Sequence, residues 1–194
     1  NSTAAFAPGD EVSILSWNVG YAGLGEESDF FMDGGKQTRA PSKAIVEKNM
    51  DGIVATVQGM AADFTFLQEI DAGPSTHAYG IEEAGRLRTE TQLDSAHALN
   101  YKCAFVPYPI PPIGRVNTGL MTLSTAPIAS AERIALPSPF KWPVSVANLK
   151  RCLMPVYIDL EGTDAQLVLV NLHLEAYDDG EGKAAQTAAL TSFL

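Results

Sequence analysis

The stretch that decides the fold is Ala62-Asp63-Phe64-Thr65-Phe66-Leu67-Gln68-Glu69. It is an apolar run that ends abruptly on Gln-Glu. Runs of this kind belong to strands covered on both faces. A carboxylate at the end of one needs a partner, usually a metal or a cation. A second apolar strand, Val12 to Val19, ends in Ser16-Trp17-Asn18, and a third, Gln166 to Leu174, ends in Asn171-Leu172-His173-Leu174. Three buried strands that each deliver a polar residue near an end point to one site assembled at a sheet edge.

Working outward from these strands, Gly20 to Arg39 is Gly-rich and acidic and reads as a loop. Pro41 suits the first turn of a helix. Ile45, Ile53, Val54, Val57, Met60 and Ala61 then follow helical spacing, so a core-facing helix feeds directly into the Phe64–Glu69 strand. After a polar loop from Asp71 to Tyr79, a second helix is expected over about Glu82 to Leu99. Strands are expected at Tyr101 to Tyr108, Gly119 to Ser124 and Ile128 to Leu136. Arg151 to Leu160 and Gln166 to Leu174 read as a hairpin across Glu161-Gly162-Thr163-Asp164. A helix starts at Gly182 and meets no stop signal before Leu194.

The 194 residues suit a single domain with ample apolar content. A net charge of −10 disfavours a dedicated nucleic-acid binder unless cations or a local basic patch intervene. No run approaches the roughly 20 apolar residues of a membrane helix. The chain opens on Asn1 rather than Met, so an upstream segment is expected, with an exported or membrane-tethered parent favoured over a cytoplasmic one. Cys103 and Cys152 lack CxxC neighbours and read as buried free thiols.

Four segments together, Ile14-Leu15-Ser16-Trp17-Asn18-Val19, Phe66-Leu67-Gln68-Glu69, Gly119 through Ile128 and Val170-Asn171-Leu172-His173-Leu174, resemble the endonuclease/exonuclease/phosphatase superfamily. The resemblance implies an α/β fold, a four-layer α/β/β/α sandwich of two mixed β-sheets. It also implies metal-dependent hydrolysis of a phosphoester, with Mg²⁺ or Mn²⁺ as the cofactor. Glu69 matches the family's metal-binding Glu, and Asn18 the strand-end Asn that helps hold the metal. His173 matches a histidine that faces the phosphate as hydrogen-bond donor or general acid, a task suited to a group titrating near neutrality.

Alternatives stand beside each assignment. Glu69 can be a surface charge, Asn18 a cap on the turn before Gly20, and His173 a satisfied core histidine. Arg115 and Asn117, in a Pro/Gly-rich loop, are assigned to substrate contact, because the Arg fork binds phosphate well; Asn171 joins them as a flanking contact. His77 follows the Glu69 loop and can line the substrate groove, yet for it and for His97 surface or packing roles are the more natural reading. Asp178, Asp179 and Glu181 read as a solvated acidic loop.

The family's Gly-Asp-Phe-Asn and Ser-Asp-His motifs do not occur in these residues. The chain is therefore expected to be the N-terminal portion of one domain and inactive by itself. The alternative is a non-catalytic binding or assembly module. The expected partner is a phosphate ester: a lipid head group, a small phosphoester or nucleic acid. Self-association through an exposed sheet edge is a further expectation.

Overall fold

The computed structural model describes residues 2–31, 34–138, 149–175 and 180–194. Strand β1 (Ile14–Asn18) leads through a single 3-10 turn at Gly20–Ala22 to helix α1 (Lys43–Met60). Strand β2 (Phe64–Asp71), helix α2 (Glu83–Thr91) and the long strands β3 (Asp94–Val106) and β4 (Gly114–Ser124) follow. Two short strands, β5 (Ser130–Ala131) and β6 (Ile134–Ala135), precede the hairpin of β7 (Cys152–Asp159) and β8 (Gln166–Leu172), and helix α3 (Glu181–Phe193) closes the described chain.

The first sheet runs β1-β2-β4-β3 and is mixed: β1 lies parallel to β2, and the other pairs are antiparallel. In the second sheet β7 is flanked by β5, β6 and β8, all antiparallel to it. The expected α/β sandwich is the fold, although the described strands of the second sheet are antiparallel rather than mixed. The two sheets meet face to face where β3 covers β7 and where β2 and β4 cover β8.

Apolar patterning explains the layers. Helix α1 is capped by Ser42, whose Oγ accepts from the Ile45 amide, and it buries Val46, Met50, Ile53, Val54 and Val57. That spacing of three and four residues forms one stripe, and the stripe packs against Leu67, Ile70, Met121 and Leu123 of the first sheet. Expected stripe members Met60 and Ala61 instead lie exposed at the helix end. Phe64, Ala98 and Leu120 face inward to meet Met154, Val156 and Ile158 of the second sheet. The fourth layer is thin: Gln186 of α3 accepts from the Glu175 amide and donates to the Pro137 carbonyl.

One expected element changes type. The helix predicted over Glu82 to Leu99 stops at Thr91, and Gln92 closes it in a left-handed conformation, φ 57°. Residues from Asp94 onward pair with β4 from Ser124 backwards, so cross-strand pairing overrides the helical propensity of Ala96, Ala98 and Leu99. Likewise the strand expected over Ile128 to Leu136 survives only as two short pairs with β7.

Both thiols are free, as expected, with Cys103 half-buried and Cys152 buried. Burial pushes the Cys152 thiol up, which keeps it unreactive.

Candidate functional site at the end of β2

The decisive local feature is a β-bulge. Ladder pairing between β2 and β4 slips between Gln68 and Ile70, and Glu69 sits in the slip with φ 55°. Unbroken alternation would place Leu67 and Ile70 on opposite faces, yet both pack into the helix-side core. The extra residue also turns Asp71 inward and re-aims Glu69. Such a position normally takes Gly, and a non-Gly residue in the left-handed region carries a strain of roughly 1–3 kcal/mol.

Glu69 and His173 come together at this end of the sandwich, with the carboxylate Oε1 3.8 Å from Nδ1. Both side chains are mostly buried, at 16% and 20% exposure. Asn18 pairs with Gln68 across the parallel β1–β2 ladder, one residue from Glu69. Its Oδ1 accepts the Gly20 amide at 3.0 Å, so the turn-capping alternative describes its hydrogen bond, although the residue itself stays exposed on the site's edge.

His173 departs from the expectation of titration near neutrality. Burial first, and then the Arg151 guanidinium, push its pKa down to about 4, against a smaller upward pull from Glu175. At neutral pH it is an uncharged imidazole, suited to donating a hydrogen bond rather than to acting as a ready acid.

Asn171 takes a different part from the substrate contact expected of it. It is buried, and its Oδ1 accepts Gln68 Nε2 at 2.9 Å. Its Nδ2 donates to the Met121 carbonyl at 2.9 Å and to the Leu67 carbonyl at 3.3 Å. One amide from the second sheet therefore ties β8 to both β2 and β4 of the first, leaving it no donor for a ligand.

Arg115 and Asn117 are not brought to Glu69 and His173. Val116 and Thr118 of β4 line the cavity at the site, so by alternation Arg115 and Asn117 face the other side of the sheet. Their backbones anchor the loop after β2. Thr76 Oγ1 accepts the Arg115 amide at 2.8 Å and Ser75 Oγ accepts the Asn117 amide at 2.9 Å. A Cβ on Gly73 would press on the tip of the Asn117 side chain, which packs over that loop.

Several site residues escaped the sequence reading. A cavity of about 130 Å³ opens beside this end of the first sheet, lined among others by Tyr21, Arg39, His77, Tyr101, Arg151 and Glu175, but not by Glu69 or His173. His77, expected to serve packing or surface roles, sits 2.8 Å from the fully buried Asp71 carboxylate. Its ring packs on Tyr21 at 4.7 Å. Burial, and secondarily the charge on Glu69, push the Tyr21 hydroxyl well up. Arg151 and Glu175 form a buried pair at 3.5 Å. The bulge that turns Asp71 inward has no sequence signal, since no glycine marks it.

Glu83 sits behind this cluster, with Oε2 accepting the Asp71 amide at 3.0 Å. Burial and then the Asp71 charge push its pKa well up. A folded-state pKa above the unfolded one means the native state holds the extra proton, so stability falls as pH rises beyond the ordinary carboxylate range. Glu83→Gln removes that penalty while keeping the acceptor. Its melting temperature should gain more over wild type at pH 8 than at pH 4; equal gains at both would contradict a protonated Glu83.

His97 lies on β3 rather than on a helix, opposite Met121. Burial pushes its pKa down to about 4, like that of His173. For both imidazoles the unfolded chain binds the proton more tightly, so native stability is full above the ordinary value of 6.5 and drains away as pH falls toward 4. The loss is roughly 3 kcal/mol per imidazole. Urea midpoints measured between pH 7 and 4 should therefore fall, and His97→Gln should flatten the fall; a parallel curve would rule His97 out.

Among the described residues, no three His, Cys, Asp or Glu side chains converge into a ready-made metal cage. The donor set at the bulge, one carboxylate and one amide oxygen at adjacent strand ends, nevertheless fits a hard divalent ion. Mg²⁺ is commonly held through one or two carboxylates and keeps several waters. Asp178 and Asp179 lie outside the described residues, and Glu181 opens α3.

No protein-family profile and no curated protein sequence matches the chain. Solved structures do. An endonuclease/exonuclease/phosphatase protein from Beutenbergia cavernae superposes with a TM-score of 0.63 at 19% identity, covering 94% of this chain and 44% of that one. The human Nocturnin catalytic domain, with bound sulfate, gives 0.59 at 14% identity over 94% and 56%. A Bacteroides thetaiotaomicron mannosyl-6-phosphatase gives 0.60 at 13% identity over 94% and 58%. The chain has the endonuclease/exonuclease/phosphatase fold and spans about half the length of these neighbours.

Proposed function

From a chain with the endonuclease/exonuclease/phosphatase fold, we propose a divalent-metal-dependent phosphoesterase activity for the whole protein, centred on Glu69. The observation that carries this is the left-handed Glu69 on its bulge, with His173 at 3.8 Å. Backbone strain at a mostly buried carboxylate facing an imidazole points to a position kept for chemistry rather than for stability. The fold neighbours are phosphoesterase- and nuclease-type proteins, which supports the same class.

Glu69 and Asn18 would hold the cation, Mg²⁺ or Mn²⁺, which when bound neutralises phosphoryl charge and polarises the P–O bond. His173, kept neutral by burial and Arg151, offers a ring N–H to a phosphoryl oxygen without adding charge. Burial first, and then the Arg151 guanidinium, keep the imidazole unprotonated, while Glu175, paired with Arg151, pulls weakly the other way. Asp71 orients His77 at the cavity wall. The Gln68–Asn171 bond holds β2 and β8 in register so that Glu69 and His173 stay facing each other.

The test is hydrolysis of bis(p-nitrophenyl) phosphate by the whole protein. Release of nitrophenol should require added Mg²⁺ or Mn²⁺ and stop with EDTA; metal-independent turnover would refute the metal role. The second reading, a non-catalytic module, is tested on the 194-residue chain itself. That chain is expected to show no turnover, and measurable hydrolysis would overturn its proposed inactivity.

A further inference from the structure

We infer that the tip of the β3–β4 hairpin docks on an anionic lipid surface and turns the candidate site toward it. The argument begins with charge. Residues 95–158 contain six basic residues, of which Arg151 is buried against Glu175, and the lone carboxylate of Glu132, a net of +5 in a chain of net −10. The remaining residues thus hold a net of −15. Within that segment Lys102 and Arg115 are exposed on the hairpin. Lys102 pairs with Asn117 across the ladder, which makes Arg115 its diagonal neighbour on the same face. Neither cation is ion-paired with a described carboxylate.

Apolar exposure is concentrated at the same place. Phe105 is 59% exposed, Tyr108 75% and Ile110 92%. Tyr79, at 40%, lies on the adjoining loop that Thr76 ties to Arg115. Pro107, Pro109, Pro111 and Pro112 surround the tip, and each fixes its φ. Four large apolar or aromatic side chains beside two unpaired cations, with no acid between Asp94 and Glu132, make the composition of an interfacial anchor. Amphipathic Tyr sits at headgroup level, Ile and Phe enter the acyl boundary, and Lys and Arg meet anionic headgroups.

Orientation follows from register. Asp71, at the end of β2, pairs with Thr118, and β4 continues from there back to Gly114. The hairpin therefore projects past the edge that carries Glu69 and His173. An anionic surface repels the acidic body and attracts the end that carries Lys102 and Arg115, so docking is hairpin-first. Nucleic acid fits less well, because Ile110 and the prolines give no stacking platform and two cations give a weak phosphate track. If the phosphoesterase reading holds, the consequence is a phosphoester headgroup as the substrate class.

Vesicle flotation with the intact protein tests the inference and requires no hydrolysis, so its failure leaves the phosphoesterase reading standing. Phosphatidylcholine vesicles containing phosphatidylserine should bind the protein at low salt, while phosphatidylcholine alone should bind at least about tenfold less. Two variants, Tyr108→Ser/Ile110→Ser and Lys102→Glu/Arg115→Glu, should each weaken binding about tenfold or more. Binding should also fall as NaCl is raised, a wild-type readout that stands even where a variant fails to fold. Absence of vesicle binding, equal binding to neutral vesicles, or unchanged binding by folded variants would overturn the inference. Retention of a single-stranded oligonucleotide instead of vesicles, lost in the same variants, would overturn it in favour of nucleic acid.

Discussion

Glu69→Ala and Glu69→Gly are both expected to lower metal-dependent phosphodiester hydrolysis by the whole protein at least about 10²-fold, the scale of losing a charge-stabilising group in a water-poor site. The two variants should part company in stability. Both lack the carboxylate, so its contacts drop out of the comparison and only the backbone differs. Alanine at φ 55° keeps the left-handed strain, whereas glycine adopts that conformation freely. Glu69→Gly should therefore be the more stable by about 1 kcal/mol, or about 2–4 °C in melting temperature for a chain of this size. Retained activity in either variant would remove Glu69 from the site. A glycine variant no more stable than the alanine variant would show that the bulge is unstrained.

The second large effect is structural. Asn171→Leu is expected to destabilise the fold by about 3 kcal/mol or more, lowering the melting temperature by roughly 10 °C. The side chain is about the right size, so the loss comes from polarity. Gln68 Nε2 and the carbonyls of Leu67 and Met121 lose their partner in the dry space between the sheets. Gln68→Leu made in the Asn171→Leu background should recover part of the loss, because it removes one orphaned group, so the double variant should lose less than the sum of the two single losses. A melting temperature within 2 °C of wild type for Asn171→Leu would show, on this size scaling, that the clasp contributes little.

Much of the scaffold was legible along the chain, for a physical reason. An apolar strand between two layers must be continuous, and the Phe64–Glu69 run is, whereas β1 and β8 are half-exposed along much of their length; α1 must show a stripe, and it does. Errors came where long-range pairing outweighs local preference. Ala96 to Leu99 is helix-compatible by itself and becomes strand because β4 offers a ladder. Met60 fits the helical period yet falls beyond the face that meets the sheet.

The candidate site was legible in part. Glu69 and His173 were singled out from strand ends, and they do face each other. Asn171 was placed with the substrate because polar residues in a strand read as functional. Its neighbours are a glutamine 103 positions away in sequence and two backbone carbonyls, which no local pattern announces. Arg115 and Asn117 were drawn to the site by their chemistry, but face alternation puts them behind it.

What the amino-acid sequence determined by itself was the inventory: which apolar runs become strands, and which polar residues stand near their ends. What only the tertiary structure decided was direction. A single unmarked bulge at Glu69 turns Asp71 inward, and burial beside Arg151 pushes the His173 pKa down to about 4, away from neutrality. Those outcomes depend on register and on the dielectric between two sheets, and neither exists until the chain has folded.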